Sequence, residues 1–559
     1  MPKARTQKIK GTPYVYIERS FRVSGQSYPG HKRTYIGKMV DDTFVPNKTF
    51  HSLSAEEKQS TGLTWEETAD VSVTVTRGRP VSLQGKREFR GTSHLFSTIC
   101  TSLSLDADLE RVFTDRAGKM LSLAFYLAAH QDAPLYGFSH WSRLHDHPYE
   151  NDIPSPRSSE LLGSITEDEI QQFLSLRVRR SQATSGWLAV DSTSVSSYSQ
   201  GLSLVTRGRN KDHLPLEQIN LLMVFDQDSE VPVFYRKLRG NITDVTTLDN
   251  TMHDLKGIGI DHASLVLDRG YYSEENVIHL LKRKHSFTLG TKVSVNFVKD
   301  AISEVRDEMM GYGSYDQAKR LFHASVPVEY SVPVRGRGPN VRYAYLHIYF
   351  GKEKEADDVA SLMKRIAALQ QQLESGKVTA RRSELKKYFN LTLDANDQIT
   401  GYSENQKGVN EAVRRCGFFA LLTSEKHLDS SQVLSIYRKK DAVEKAFNNL
   451  KDRFSLKRTR YSRDDNFNGK VFLQFLALII TSRIRKVMKD SDLSSAFTLR
   501  SLLNEVDVIE YFTYRGRAGH WGEITEKQAN ILMTFGVDLP DEAWPKKYRK
   551  NKKPRTRRN

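Results

Sequence analysis

The stretch that most limits the fold begins at Gly186, where three apolar runs follow one another: WLAVDSTSV, INLLMVFD and VPVFYRKL, the last two separated by the polar turn DQDSE. Runs of this length, rich in Val, Leu and Phe and bounded by polar clusters, predict strands. A helix is expected from about Asp244 to Leu255, a fourth strand in HASLVLDRG, a second helix in SEENVIHLLKRK and a fifth strand in SFTLGTKV. Three antiparallel strands followed by strands alternating with helices predict an α/β domain with a mixed sheet.

Two of these runs, WLAVDSTSV and SLVLDRGYYS, end their apolar part on an aspartate, Asp191 and Asp268. A buried strand that gives way to a polar residue puts a carboxylate at the rim of a sheet. The competing reading of either residue alone is a helix cap. A third carboxylate comes from YRKKDAVEKAFNNLK, Tyr437 to Lys451, whose Ala, Glu, Lys and Leu content predicts one continuous helix. At about 100° per residue, Tyr437 and Lys451 fall within about 20° of Glu444 and Lys440 within about 40°. Ala442, Val443, Ala446, Phe447 and Leu450 supply a separate apolar face, which leaves the polar stripe free. The bland alternative is a solvated i,i+4 pair between Lys440 and Glu444. Asp441, about 60° from Glu444, is a rival on the same helix, while Glu274 and Glu275 sit at an expected helix start, where they favour the macrodipole.

Charge narrows the partners. Lys and Arg number 84 against 67 Asp and Glu, a net +17 over 559 residues, which favours a polyanion and nucleic acid before membrane. The longest apolar run, Val471 to Ser482, is too short to span a bilayer and reads as a core helix. Only Cys100 and Cys416 occur, far apart and without metal-ligand spacing, so a disulfide scaffold and a structural zinc are not expected. The basic start MPKARTQKIK leads into polar strands rather than an apolar signal core, and a reducing, cytoplasmic setting is inferred.

The length suits three or four structural units. Residues 1–90 predict a basic, β-rich unit for DNA binding: YVYIERSFRV and RTYIGKM alternate, and VSVTVTRGRPVSL follows. Its Arg19, Arg22, Lys32 and Arg33 suit a phosphate backbone or simply a solvated strand face. Residues 91–182 predict helices; within them HDHPY, His145 to Tyr149, lacks the fixed face that a metal site needs. The α/β domain takes residues 183–292 and 431–490. Between them, 293–430 reads as an insertion, with a hairpin of VPVEYSVPV and RYAYLHIYFG around RGRGPN and a charged helical stretch, Glu353 to Tyr388, broken near Gly376. Residues 491–559 end in the basic tail KKYRKNKKPRTRRN, suited to nonspecific phosphate contact.

The spacing Tyr437, Lys440, Glu444, Lys451 resembles the Tyr-Arg-Glu-Lys signature of the DDE transposases of bacterial insertion sequences, with lysine where the signature has arginine. LAVDST and LVLDRGYYSEEN are similar to that family's two aspartate motifs, and EQINLLMVFD and LRGNITDVTTL to its second-strand and Gly-Asn elements. The resemblance covers about Trp187 to Lys292 and Tyr437 to Leu476. It implies a ribonuclease H-like fold, a β-containing insertion domain between the second and third acids, and Asp191, Asp268 and Glu444 as catalytic, metal-binding triad. It further implies two Mg²⁺ ions, with Mn²⁺ as substitute, about 3.5–4 Å apart, Asp191 bridging both. Lys440, Lys451, Tyr437 and Arg269 would bind the DNA substrate, and no covalent protein–DNA intermediate is required. The Lys440 departure keeps the charge and loses the bidentate fork.

The expected activity is therefore cleavage of element ends and joining of 3′-hydroxyls to target DNA, by a homodimer on double-stranded DNA. The alternatives are a stand-alone metal-dependent endonuclease and a non-catalytic DNA-binding protein of transposase descent. The flanking regions count against the first and the three filled acidic positions against the second.

Overall fold

Alternation in YVYIERSFRV and RTYIGKM folds as expected, into a four-stranded antiparallel meander of β1 (Ala4–Ile9), β2 (Thr12–Phe21), β3 (Gly30–Val40) and β4 (Thr43–Pro46). The structure is a computed structural model, and the residues described are 3–9, 12–22, 29–40, 43–65, 85–130, 133–182, 186–197, 199, 201–208, 216–242, 244–257, 262–334, 336–394, 397–441, 443, 458–459, 463–514 and 518–548. The chain forms two compact units, Met1–Leu83 and Gln84–Asn559.

In the first unit Val15, Ile17, Ile36, Phe44 and Phe50 form the core, with Trp65 packed against them. A bulge between Val15 and Tyr16 breaks the alternation, so that three successive residues of β2 are covered. Arg19, Arg22, Lys32 and Arg33 are all exposed; Arg19 pairs with Glu57 and Arg33 with Glu18. The second β-rich stretch, VSVTVTRGRPVSL, lies outside the described residues.

The second unit opens with β5 (Gly85–Phe89), which pairs with a strand more than four hundred residues later. Helices Gly91–Ser102, Leu105–Phe113, Ala117–Ala129, Ser155–Gly163 and Glu167–Gln182 follow. His145 and His147 of HDHPY are built into this core: His145 stacks on Trp141 at 4.7 Å and His147 meets the Ser122 hydroxyl at 3.1 Å.

The α/β sheet then runs β6 (Leu188–Ser197), β7 (Gln218–Asp226) and β8 (Val231–Arg239), antiparallel in succession, with helix Asp244–Gly257 leading to β9 (Ser264–Leu267) and helix Glu274–Lys282 to β10 (Ser286–Thr291). β9 lies parallel to β6 on one side and to β10 on the other. The order β10-β9-β6-β7-β8 is the ribonuclease H-like mixed sheet that the resemblance implies.

The segment between is less separate than its insertion character suggests. After the short β11 (Tyr315–Asp316), the hairpin β12 (Leu321–Val334) and β13 (Arg337–Phe350) forms as expected. Helices Lys352–Glu374 and Arg382–Tyr388 flank Gly376, whose φ of +68° ends the first. A small hairpin follows, β14 (Phe389–Leu393) with β15 (Ile399–Glu404). β16 (Phe418–Thr423) then pairs antiparallel with both β13 and β10, so the inserted strands extend the α/β sheet itself.

Past β17 (Arg458–Thr459), which pairs with the far end of β6, helix Asp464–Asp490 carries the apolar run into the core. Phe472 and the unbroken stretch from Phe475 to Ile480 are fully buried. This helix packs against Ala117–Ala129, Ser155–Gly163 and β8, joining the helical region to the sheet. Gly469 permits the approach, because a Cβ there would stand 2.3 Å from the Leu162 carbonyl oxygen. Among the described residues no helix is long and apolar enough to cross a membrane. β18 (Glu510–Tyr514) and β19 (His520–Trp521) complete a small sheet with β5.

Candidate active site

The site follows from strand register. Leu188, Ala189 and Val190 of β6 pair in parallel with Leu265, Val266 and Leu267 of β9, after which β9 ends. The next residue on each strand is an aspartate, so Asp191 and Asp268 are set side by side. Asp268 leaves its strand as expected. Asp191 does not: it is the fourth residue of β6, which continues beyond it and pairs Asp191 with Met223 of β7. The polar residues after Asp191 stay in the sheet because β7 remains beside them and satisfies their backbone.

Asp191 is buried, and its carboxylate accepts the Ser192 N–H at 2.8 Å. The Asp268 side chain keeps 37% of its surface open. Lys440 reaches in between them: its Nζ lies 3.6 Å from Asp191 Oδ2 and 3.3 Å from Asp268 Oδ1, and its side chain is only 5% exposed. The Tyr437 hydroxyl donates to Asp268 Oδ1 at 3.1 Å. Burial pushes the Asp268 carboxyl up, but the Lys440 charge, the Arg269 N–H and the hydrogen bonds from Lys440 and Tyr437 outweigh it and hold the group below the usual carboxylate range. The Tyr437 phenol is pushed up by its own burial and by the Asp268 charge.

The helix expected to run unbroken from Tyr437 is interrupted at Lys439 and Lys440. A capping box of Asp429 and Gln432 starts a helix earlier, at Ser430, and that helix ends at Arg438. Lys439 and Lys440 form a turn, with the Lys440 N–H bonded to the Tyr437 carbonyl at 3.1 Å, before Asp441 resumes helical geometry. The single polar stripe drawn at a fixed angle per residue therefore does not run through this point. The turn is held by Gln227, which donates to the Ile436 carbonyl at 3.0 Å, and by Lys439 paired with Asp228 at 3.3 Å. It lets Lys440 enter the carboxylate pair instead of lying on the surface.

Asp191, Asp268, Tyr437 and Lys440 are thus brought together, with Arg269 exposed next to them. Glu444 and Lys451 lie outside the described residues. Asp441, the rival acid, is exposed, and Glu274 and Glu275 occupy the first turn of helix Glu274–Lys282, capped by Ser273. Among the described residues no group of three His, Cys, Asp or Glu gathers as a metal set.

One further residue, a glycine, shapes the site. A Cβ on Gly290 of β10 would stand 2.6 Å from the Tyr437 hydroxyl and 3.0 Å from the Arg269 nitrogen, so this glycine makes the space in which Tyr437 meets Asp268. Its only signal was a glycine inside a strand, which marks close approach by a neighbour.

The family model described as Transposase DDE domain matches residues 184–480, more than half of the chain. No curated protein matches it by sequence. Among solved structures, the chain is similar to the piggyBac transposase in a synaptic complex with hairpin DNA, at 10% identity and a TM-score of 0.34, over 75% of this chain and 76% of that one.

Proposed function

The chain belongs to the family defined by the transposase DDE domain, and from that premise we propose that it binds the ends of its own mobile element, hydrolyses phosphodiester bonds there and joins the freed 3′-hydroxyls to target DNA. The observation that carries this reading is the pair of adjacent carboxylates, buried Asp191 within β6 and part-open Asp268 just past β9, sharing one cation.

The donor set suits a hard divalent ion: both side chains offer carboxylate oxygens, and they share a positive charge. Asp191, Asp268 and Glu444 would hold it. When bound, Mg²⁺ or Mn²⁺ supplies Lewis acidity at the scissile phosphate and acidifies a bound water or hydroxyl. The chain's own groups orient and balance. Asp191 is fixed by its place inside β6 and by the Ser192 N–H; Tyr437 orients Asp268 and is assigned to positioning rather than nucleophilic attack. Lys440 offsets the charge of the carboxylate pair. Arg269, exposed beside Asp268, offers a planar fork to a phosphate, and Lys451 is assigned the same task by the family pattern.

DNA is the proposed partner of the rest of the chain too. Arg22 and Lys32, exposed on the N-terminal meander with no carboxylate partner among the described residues, suit a phosphate backbone. Two element ends to be joined imply a homodimer on DNA. The test compares wild type with Asp191→Ala for Mg²⁺- or Mn²⁺-dependent nicking of DNA carrying the element's ends. Activity in the wild type alone supports the reading. Equal cutting by both removes it, and binding without cutting by both points to a DNA-binding protein of transposase descent.

A further inference from the structure

A recess of about 960 Å³ opens beside Arg269 and runs under the inserted segment. Its walls come from the residues after β10, from helices Asn296–Met309, Lys352–Glu374, Arg382–Tyr388 and Gln406–Val413, and from the start of β16. Lys354 on its wall is neutralised by Asp358 at 2.8 Å. Arg269, Lys292, Lys299, Lys386, Lys387 and Arg415 have no carboxylate partner among the described residues, and the recess offers only one further acid, Glu411. Six cations converging on one concavity repel one another unless a polyanion enters.

Aromatic rings are part of the lining. Phe419 and Tyr388 are half-buried at the recess, and the Phe419 ring is fixed by stacking on Tyr349, 4.9 Å away and inclined by 12°. A cationic groove with aromatic platforms is the design that holds unpaired nucleic acid, the cations following the backbone and the rings receiving bases. The volume lies at the top of the roughly 300–1,000 Å³ range of ligand clefts, which suits a few nucleotides of one strand and not a duplex.

We propose that this recess binds single-stranded DNA, the strand that leaves the Asp191–Asp268 site past Arg269, with its phosphates on Lys386, Lys387 and Arg415. The proposal rests on the assignment of that site to DNA cleavage. It names an activity of the inserted segment, single-strand retention, distinct from cutting.

The test uses the full chain in EDTA, so that no cleavage is needed, and measures by fluorescence anisotropy the affinity for a labelled single-stranded oligonucleotide and for a duplex, across a salt series. In Lys386→Ala/Lys387→Ala, both exposed on a helix surface, single-strand affinity is expected to fall at least tenfold. The slope of log affinity against log salt should drop by about 1.4, at about 0.7 per lost phosphate contact. Duplex affinity should change less than twofold. Lys364→Ala/Lys377→Ala removes the same charge from exposed lysines that do not line the recess and should leave single-strand affinity within twofold. Unchanged single-strand affinity in the first variant, or an equal fall in both variants or on both DNAs, overturns the proposal. The nicking comparison with Asp191→Ala stays separate: wild type that cuts while the recess variant binds normally refutes the recess alone, and wild type that cannot cut refutes the catalytic assignment.

Discussion

The Tyr437 hydroxyl donates to Asp268 Oδ1 at 3.1 Å, from a helix that ends one residue later and across a strand whose Gly290 leaves the space for it. Hydrogen bonds to charged groups contribute about 1.5–3 kcal/mol, and the partial exposure of Asp268 argues for the lower end. Tyr437→Phe keeps the ring and removes the donor. Nicking is expected to slow by roughly tenfold, the equivalent of about 1.4 kcal/mol, while the thermal transition barely moves. A rate unchanged within twofold would show that the hydroxyl does not orient Asp268.

On the proposed reading, Lys440 and a divalent ion would compete for the same two carboxylates. Removing one member of a fully buried ion group costs about 3–5 kcal/mol, and because more than a third of the Asp268 side chain is open, about 2 kcal/mol is the reasonable figure here. Lys440→Ala should therefore melt earlier than wild type in EDTA, and millimolar Mg²⁺ should raise its melting temperature by more than it raises that of wild type. Calorimetry with and without Mg²⁺ checks this. Equal Mg²⁺ shifts in the two proteins would show that Lys440 does not compete with the ion, and no shift in either would show that none enters the pair.

The adjacency of Asp191 and Asp268 was half legible in the sequence. Both lie after apolar runs that read as strands, and both runs are strands. That the runs pair in register, Val190 with Leu267, is a long-range fact that no local pattern carries. The same holds for β10 and β16, whose Thr291 and Ala420 bond across 129 positions and merge the inserted strands with the sheet. Local composition also misled at Lys439 and Lys440. Lysine suits a helix interior by propensity, yet the Asp191 and Asp268 carboxylates hold Lys440 at a turn, and tertiary charge outweighs a preference of a few tenths of a kcal/mol. The hairpin of β12 and β13 and the break at Gly376 were legible because turn chemistry and alternation are local signals.

Gly290 is expected to tolerate no side chain. With a Cβ 2.6 Å from the Tyr437 hydroxyl and 3.0 Å from the Arg269 nitrogen, Gly290→Ala forces either the phenol or the Arg269 backbone to move. Overpacking of this kind costs about 1–3 kcal/mol. Nicking should fall by at least tenfold. Combining Gly290→Ala with Tyr437→Phe, which removes the nearer clashing atom, should recover part of the lost stability in urea melts. No recovery would place the strain at Arg269 alone.

Another acid, Asp507 at the end of helix Leu499–Asp507, ties the helical region to the C-terminal helices. Asp507 meets His145 Nε2 at 3.1 Å and accepts from the Thr92 hydroxyl at 2.6 Å. Burial pushes its carboxyl up, but the hydrogen bond and charge of His145 and the Thr92 hydroxyl outweigh it, so the folded pKa lies below the ordinary aspartate value. A depressed folded pKa contributes stability above the unfolded value, about 3.9 for aspartate, and that contribution is lost as pH falls through the folded value. Asp507→Asn should therefore unfold at lower urea than wild type at pH 7, by about 1–2 kcal/mol for a half-satisfied buried contact. The gap between the two proteins should narrow as the pH falls below about 4. Urea titrations at a series of pH values measure the gap directly; a gap that stays constant from neutral pH down into that acid range would show that the Asp507 charge contributes nothing and that the loss in the variant is steric.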